Sequence, residues 1–144
     1  MFIIITEIKK KFYDILTNLG YDVVDNRESI EEDMPFPQVM LRLNTCTRDR
    51  IKNVVINKVR FTIDIFSLYD GEAEILDIEQ KVFDAAKELY DIEKVIYIQE
   101  SSFRVMDDKS TGTMMKHGIL NYMVIVGGME EEVEQENETN NTSE

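Results

Sequence analysis

Residues 57–68 read NKVRFTIDIFSL, and this stretch decides the fold class. Mainly polar side chains alternate there with the apolar residues Val59, Phe61, Ile63 and Ile65. A period of two residues predicts a β-strand with one buried face. The chain therefore contains a long strand at 57–68, which needs partner strands and a covering layer.

Downstream of this strand, the pattern predicts a helix and then a β-hairpin. Apolar residues keep helical spacing over 72–90, and acidic residues crowd the first turn, where the helix dipole favours anions. Asp70 is the predicted N-cap. Two apolar stretches follow at 94–106 and 115–126, and the residues between them are rich in turn formers, which predicts a hairpin.

Upstream, residues 2–19 form a predicted amphipathic helix that ends at Gly20. Its expected apolar face consists of Ile5, Ile8, Phe12, Ile15 and Leu19. Short strands are predicted at 21–26 and 38–44, with a loop at 27–34, and residues 45–56 are interpreted as an exposed hairpin connection. The order predicts an α+β fold with a mainly antiparallel sheet of four to five strands and two helices packed on one face.

Charge and length define a single domain with an acidic tail. The chain has 144 residues, a net charge of -13 and seven glutamates within 130–144, which leaves 22 acids against 16 bases in the rest. We expect one domain at 1–128 and a disordered tail at 129–144. Because no strongly basic surface is expected, the charge argues against free nucleic acid as a partner.

The composition also favours a protein assembled in a reducing compartment. The single cysteine cannot form an internal disulfide. No apolar run has the length of a membrane span, and the apolar run at the N-terminus precedes the lysines, unlike in a secretion signal. We expect a cytoplasmic protein with no membrane partner.

The sequence contains no motif that predicts catalysis. No glycine-rich phosphate loop or dinucleotide motif is present, and the single histidine, His117, is expected on the sheet surface or at a subunit contact. Cys46 has two interpretations: a thiol activated by the basic residues beside it, or an ordinary free thiol. We favour the ordinary free thiol. The pair Asp107-Asp108 and the acidic residues of the loop at 27–34 are interpreted as solvated charge rather than as calcium ligands. We expect that the protein is not an enzyme and that it binds no cofactor and no metal.

Two features point to assembly instead. The strands of the predicted hairpin are apolar on both faces, with Val95, Tyr97, Phe103 and Val105 assigned to one side and Ile96, Ile98 and Met106 to the other. A neighbouring subunit could cover the second face, or loops of the same chain could. The connections at 44–57 and 106–115 also have opposite charge character, basic in the first and acidic in the second. They supply the predicted interface residues Arg48, Arg50, Lys52, Asp107, Asp108 and Lys109. Both connections could equally be solvated loops.

Three segments carry a resemblance to a known family. They are Pro37-Gln38-Val39, the strand-to-helix passage at 61–74 (FTIDIFSLYDGEAE) and the final strand at 121–126 (NYMVIV). Over about residues 2–127 the order and size of the elements resemble those of the tail terminator or tail completion proteins of long-tailed bacteriophages and prophages.

The resemblance implies a structural protein of the virion tail and neck that is assembled in the cytoplasm of a bacterial host. It implies a hexameric ring that caps the tail tube, stops its polymerisation and joins it to the head, with the tail tube protein and the neck proteins as partners. DNA would pass through the ring without adhering, and the acidic body suits such a wall. Two alternatives stay open: another neck or head-tail connector protein of the same particle, and a small cytoplasmic ligand-binding domain.

Overall fold

A computed structural model describes residues 2–24, 36–109, 112 and 114–129. The elements in chain order are α1 (Phe2–Asn18), β1 (Asp22–Val24), β2 (Gln38–Ile51), β3 (Val54–Ser67), α2 (Ala73–Ala85), a 3₁₀ helix (Ala86–Asp91), β4 (Val95–Asp108) and β5 (Met115–Met129). The strands form one five-stranded sheet in the order β1-β2-β3-β5-β4. Every neighbouring pair is antiparallel except β1 and β2. The predicted α+β fold is confirmed.

Both helices pack on the same face of the sheet and enclose one hydrophobic core. The apolar side of β3 is fully buried there, as its alternation predicts. The ring of Phe12 meets the rings of Phe61 and Tyr122 edge to face, each at a centroid distance of 5.6 Å. This aromatic cluster joins α1 to the two central strands β3 and β5.

The predicted first helix is confirmed, but its buried face is slightly rotated. The fully or nearly fully buried residues are Ile4, Ile8, Phe12, Ile15 and Leu16, whereas Ile5 and Leu19 are only partly buried. The helix ends before Gly20, whose φ of 97° is the left-handed conformation expected after a helix terminus.

The predicted N-cap of α2 is wrong. The helix begins at Ala73, and its N-cap is Glu72, which makes no side-chain capping bond. The backbone carbonyl of Glu72 accepts the first helical hydrogen bond from Leu76, at 2.9 Å. Asp70 therefore lies two residues before the capping position. After Ala85 the chain tightens into the 3₁₀ helix, which completes the predicted helical span.

The interpretation of residues 45–56 as a connection is also wrong. β2 runs to Ile51 and β3 begins at Val54, so the turn consists only of Lys52 and Asn53, with Lys52 at a φ of 55°. The segment is exposed as expected, from Arg42 to Val54. Because both faces of this end of β2 are exposed, the sequence lacks the apolar alternation that reveals a strand.

The two faces of β4 differ from the predicted assignment. Ile98, Phe103 and Val105 pack against the core, whereas Tyr97 and Met106 are exposed. Register shifts relative to β5 between Val95 and Tyr97, and between Glu100 and Ser102, account for this. Each shift adds a residue to β4 and moves the following side chains to the other face.

The acidic tail at 130–144 and the predicted loop at 27–34 lie outside the described residues. Within the described part of the chain, neither helix combines the length and the apolarity that crossing a membrane requires.

Candidate interaction surfaces

The sheet face opposite the helices, here called the open face, is partly covered by the chain itself. At the β1 end of the sheet, four residues form a second buried cluster, against which Phe36 packs: Val24, Met40, Phe66 and Met115. The sequence left open whether loops or a neighbouring subunit cover this face. At this end, the same chain supplies the cover.

A buried carboxylate lies next to this cluster on the open face. Asp64 is only 1% exposed, and its two oxygens have different partners. Arg42 donates from Nε to Oδ2 at 2.8 Å, and Nε2 of His117 lies 2.7 Å from Oδ1. Burial raises the pKa of Asp64, but the hydrogen bonds from His117 and Arg42 outweigh it and hold the pKa below its usual value. The cluster links β2, β3 and β5.

His117 is held from several sides. Its ring stacks on Phe66 with a centroid distance of 4.4 Å, and its Nδ1 lies 3.6 Å from a carboxylate oxygen of Asp108. The sequence placed His117 on the last strand but could not identify these partners. Only the strand register brings them together, with His117 opposite Phe66 on one side and Met106 on the other.

A second polar row crosses the open face beside this cluster. Asn44 donates to Oγ1 of Thr62, which donates to Asn121 at 2.8 Å, and Asn121 donates in turn to Ser102 at 2.8 Å. The row joins β2, β3, β5 and β4 side by side. Such satisfied polar contacts fix the relative positions of the strands.

The predicted interface residues lie at two opposite ends of the sheet. Arg48 and Arg50 are on the last part of β2, and Lys52 is in the turn of the hairpin. The second group is found where β4 ends: Asp107, Asp108 and Lys109. Within one chain the structure does not bring the two groups together.

The acids of the second group already have partners within the chain. Asp107 accepts a hydrogen bond from Nζ of Lys116 at 2.6 Å, and Asp108 lies against His117. The sequence could not reveal this pairing, because it depends on the register between β4 and β5.

Cys46 does not have the character of an activated thiol. Burial raises the pKa of Cys46 above its usual value, and the opposing effect of Arg48 is smaller. This direction agrees with the ordinary free thiol that the sequence favoured.

A groove lies between α2, the 3₁₀ helix and β4, and is called here the α2–β4 groove. Its volume is about 440 Å³, and it is lined by Phe83, Asp84, Ala86, Lys87, Tyr90, Ile98, Glu100 and Tyr122. The hydroxyl of Tyr122 donates to Oε1 of Glu100 at 2.9 Å, and the hydroxyl of Tyr90 accepts the Ile98 N–H at 3.0 Å. The floor of the groove is therefore fixed by side-chain hydrogen bonds.

The carboxyl group in this groove is strongly perturbed. Burial raises the pKa of Glu100 to about 7 against the opposing hydrogen bond from Tyr122, and the nearby carboxyl of Glu79 raises it further. Burial and the charge of Glu100 also raise the pKa of Tyr122. The groove thus holds an acid that titrates near neutrality.

Two exposed apolar residues line the same groove, Phe83 and Tyr90, and a third, Leu76, precedes them on α2 outside the groove lining. Leu76, Phe83 and Tyr90 recur every seven residues and are 49%, 52% and 46% exposed. In an α-helix a spacing of seven places Leu76 and Phe83 on one side of α2, and Tyr90 follows on the 3₁₀ helix; the three exposed residues are called here the apolar stripe. The apolar spacing at 72–90 predicted only the buried side of this helix and not the stripe.

The described residues contain no group of three or more histidine, cysteine or acidic side chains that could hold a metal ion. No protein-family model matches the chain, and no curated protein is significantly similar to it in sequence. Among solved structures, the fold is similar to a chain in the virion of a native gene transfer agent particle. The TM-score is 0.50 at 14% sequence identity, and the match covers 79% of this chain and 84% of that chain.

Proposed function

We propose that this chain is a structural protein of a phage-like virion, and that it forms a ring at the end of the tail tube. The observation that carries the proposal is the fold, which is similar over most of its length to a chain of a gene transfer agent virion. The sequence resemblance to tail terminator proteins supports the finer role.

The surfaces of the described chain suit a protein that functions by packing. The α2–β4 groove has apolar residues on its rim, and β2 has no strand partner on its outer edge beyond the three residues that pair with β1, among the residues described. An exposed strand edge and an apolar stripe are both features that a subunit contact can bury. The proposed partners are further copies of the chain, the tail tube protein and the neck proteins.

The mechanism would be steric. A ring bound to the last layer of the tube buries the surface on which the next layer would grow, so elongation stops. Each subunit contact can be weak, because a ring that binds at several points dissociates slowly as a whole. The opposite side of the ring would then receive the head, and DNA would cross the centre of the ring.

The test is to measure the native mass of the purified protein over a concentration series, alone and with isolated tail tubes. A hexamer in solution, or a monomer that forms rings on tube ends and blocks their growth in electron micrographs, would support the proposal. A chain that stays monomeric and leaves tube length unchanged would contradict it.

A second measurement separates the terminator from another neck protein. Tails assembled in cells that make no heads should carry the chain at one end if it is a terminator. A connector that enters with the head would be missing from such tails and present only on complete particles.

A further inference from the structure

We propose that the tip of the β2–β3 hairpin of one copy inserts into the α2–β4 groove of a second copy, so that the chain associates head to tail. The occupant of the groove is therefore another molecule of the same chain. The inference rests on the self-assembly in the proposed function and specifies the two surfaces that make the contact.

The hairpin tip combines basic and apolar side chains. Ile51 and Val54 flank the turn and are 56% and 45% exposed. Arg50 and Lys52 are the chain neighbours of Ile51, Arg48 lies two residues before Arg50 on β2, and residues 45–60 as a whole carry five bases against one acid. A monomer leaves this tip in water, and its apolar residues gain free energy only when a partner covers them.

The groove has the complementary character. Phe83 and Tyr90 supply an apolar rim, and Glu100 lies on the floor with Glu79 beside it. The elements above the groove are strongly acidic, because residues 72–93 contain eight acids against two bases. An apolar tip edged by arginines therefore meets an apolar rim edged by carboxylates, and opposite potentials of this kind align partners and fix register.

The positions of the two surfaces favour a head-to-tail contact. β2 lies on one side of the sheet, next to the short β1, and β4 is the edge strand on the other side. A hairpin that occupies the groove of the next copy thus leaves its own groove open for a third copy. Such a contact extends until the rotation between copies closes a ring.

The groove is a better partner for the hairpin than the acids that the sequence suggested. Asp107 and Asp108 are engaged with Lys116 and His117 of the same chain. Glu100 accepts a hydrogen bond from the neutral hydroxyl of Tyr122 and lies close to a second carboxyl, Glu79, rather than to a base. A guanidinium that approached these two carboxyls would relieve their repulsion and form charge-assisted hydrogen bonds.

The test is a charge-reversal cycle on the full chain, with the dissociation constant measured by sedimentation or light scattering. Arg48→Glu with Arg50→Glu reverses the tip, and Glu79→Lys with Asp84→Lys reverses the groove. We expect each pair to weaken association at least about tenfold, and the combination of both pairs to recover most of the loss. Lys9→Glu with Lys10→Glu, on the exposed side of α1, adds the same negative charge away from both surfaces, so it is the matched control and should weaken association much less than the tip reversal does.

Cross-linking gives a second readout that does not depend on charge. In a Cys46→Ser background, Ile51→Cys and Phe83→Cys on separate molecules should form an intermolecular disulfide under mild oxidation. Leu68→Cys, which is also exposed, replaces Phe83→Cys in the control and should not react with Ile51→Cys. Thermal melting of every variant verifies that the fold is intact.

The outcomes distinguish this inference from the proposed function. Suppose that the wild-type chain assembles, alone or on tube ends, but the charge reversals do not weaken association and the cysteine pair does not cross-link. Then the hairpin contact is wrong and the virion role stands. If the wild-type chain never assembles under either condition, the proposed function itself is contradicted, and the contact with it.

Discussion

Asp64 carries a charge that the fold has almost completely removed from water. Its two neighbours, Arg42 and His117, come from different strands and reach different oxygens of the carboxylate. Removing one partner of a buried ion pair leaves the remaining charge buried without a counter-charge. This costs more free energy of folding than the intact pair contributes.

We therefore predict that Asp64→Asn lowers the free energy of unfolding by about 2–3 kcal/mol near neutral pH, measured by urea denaturation. Asp49→Asn is the control: its contact with Lys58 is 3.8 Å long and exposed, and its loss should cost under about 0.5 kcal/mol. Equal losses in the two variants would contradict the role assigned to Asp64.

The same carboxylate predicts a pH dependence. Because the pKa of Asp64 is lower in the folded chain, its contribution is complete above the unfolded value and is lost as the pH falls through the folded value. From about pH 5 downward the wild type should thus lose stability more steeply than Asp64→Asn. Parallel curves for the two proteins would contradict this assignment.

The pKa of Glu100 is shifted in the opposite direction. Its value of about 7 exceeds the ordinary value of 4.5, so folding favours the protonated form, and the fold loses stability as the pH rises from about 4.5 through about 7. The full shift corresponds to about 3 kcal/mol, which solvent screening at this half-buried side chain reduces to about 1 kcal/mol.

We predict that Glu100→Gln is more stable than the wild type by about 1 kcal/mol at about pH 8 and gains nothing below about pH 4.5. Glutamine keeps an oxygen for the Tyr122 hydroxyl and removes the charge that opposes Glu79. Denaturation curves at the two pH values give the comparison, with Glu88→Gln, on the exposed side of the 3₁₀ helix, as the control. A gain that persisted unchanged at the lower pH would exclude the ionisation of Glu100 as its source.

At the scale of elements, α2 comes unusually close to the final strand at Gly118. A Cβ at this position would lie 2.6 Å from Cγ2 of Ile75, a distance that real side chains do not adopt. Gly118 thus permits the close packing of α2 on β5, and a larger residue must displace the helix or the strand.

Gly118→Ala is accordingly predicted to destabilise the fold by about 1–3 kcal/mol in thermal or urea unfolding. Leucine lacks the branch at Cβ that causes the overlap, so Ile75→Leu in the same chain should recover a large part of the loss. A double variant whose loss equals the sum of the single losses would place the strain elsewhere.

The elements differ in how far the sequence alone defines them. β3 and α1 were predictable because the apolar residues of each recur on one face, whereas the opposite face is mostly polar, so the period appears directly in Val59 to Ile65 and in Ile8 to Ile15. The end of β2 has no buried face, and the two register shifts of β4 exchange its sides. Neither property leaves a periodic signal, and both were predicted incorrectly.

The candidate sites depend on register in the same way. The sequence singled out the charges of the hairpin tip because Arg48, Arg50 and Lys52 are adjacent along the chain. It could not unite Arg42, Asp64 and His117, which are far apart in sequence and meet only across three paired strands. The stripe Leu76, Phe83 and Tyr90 was visible as a spacing, but only burial distinguishes an exposed stripe from a core face.

At the scale of the whole molecule, the charge is divided between segments of opposite sign. The hairpin segment 45–60 is basic, the segment 72–93 is acidic, and the tail at 130–144 adds seven glutamates to a chain whose net charge is -13. Copies of this chain repel one another at long range, whereas the proposed contact brings together surfaces of opposite charge. The balance between the two effects depends on salt, because ions screen the long-range repulsion first.

The last prediction concerns this balance. Replacing the seven tail glutamates by glutamine reduces the net charge to about half, so self-association should strengthen about tenfold in dilute buffer. The gain should disappear at about 0.5 M salt, where the repulsion is already screened. Light scattering over a concentration series measures the strength of self-association in both buffers, and a tail of the same composition in shuffled order is the control. Because the tail lies beyond the last strand, the thermal midpoint should not change. An affinity that ignored the tail charges in dilute buffer would mean that repulsion between whole molecules does not limit assembly, and that the local contacts alone set its strength.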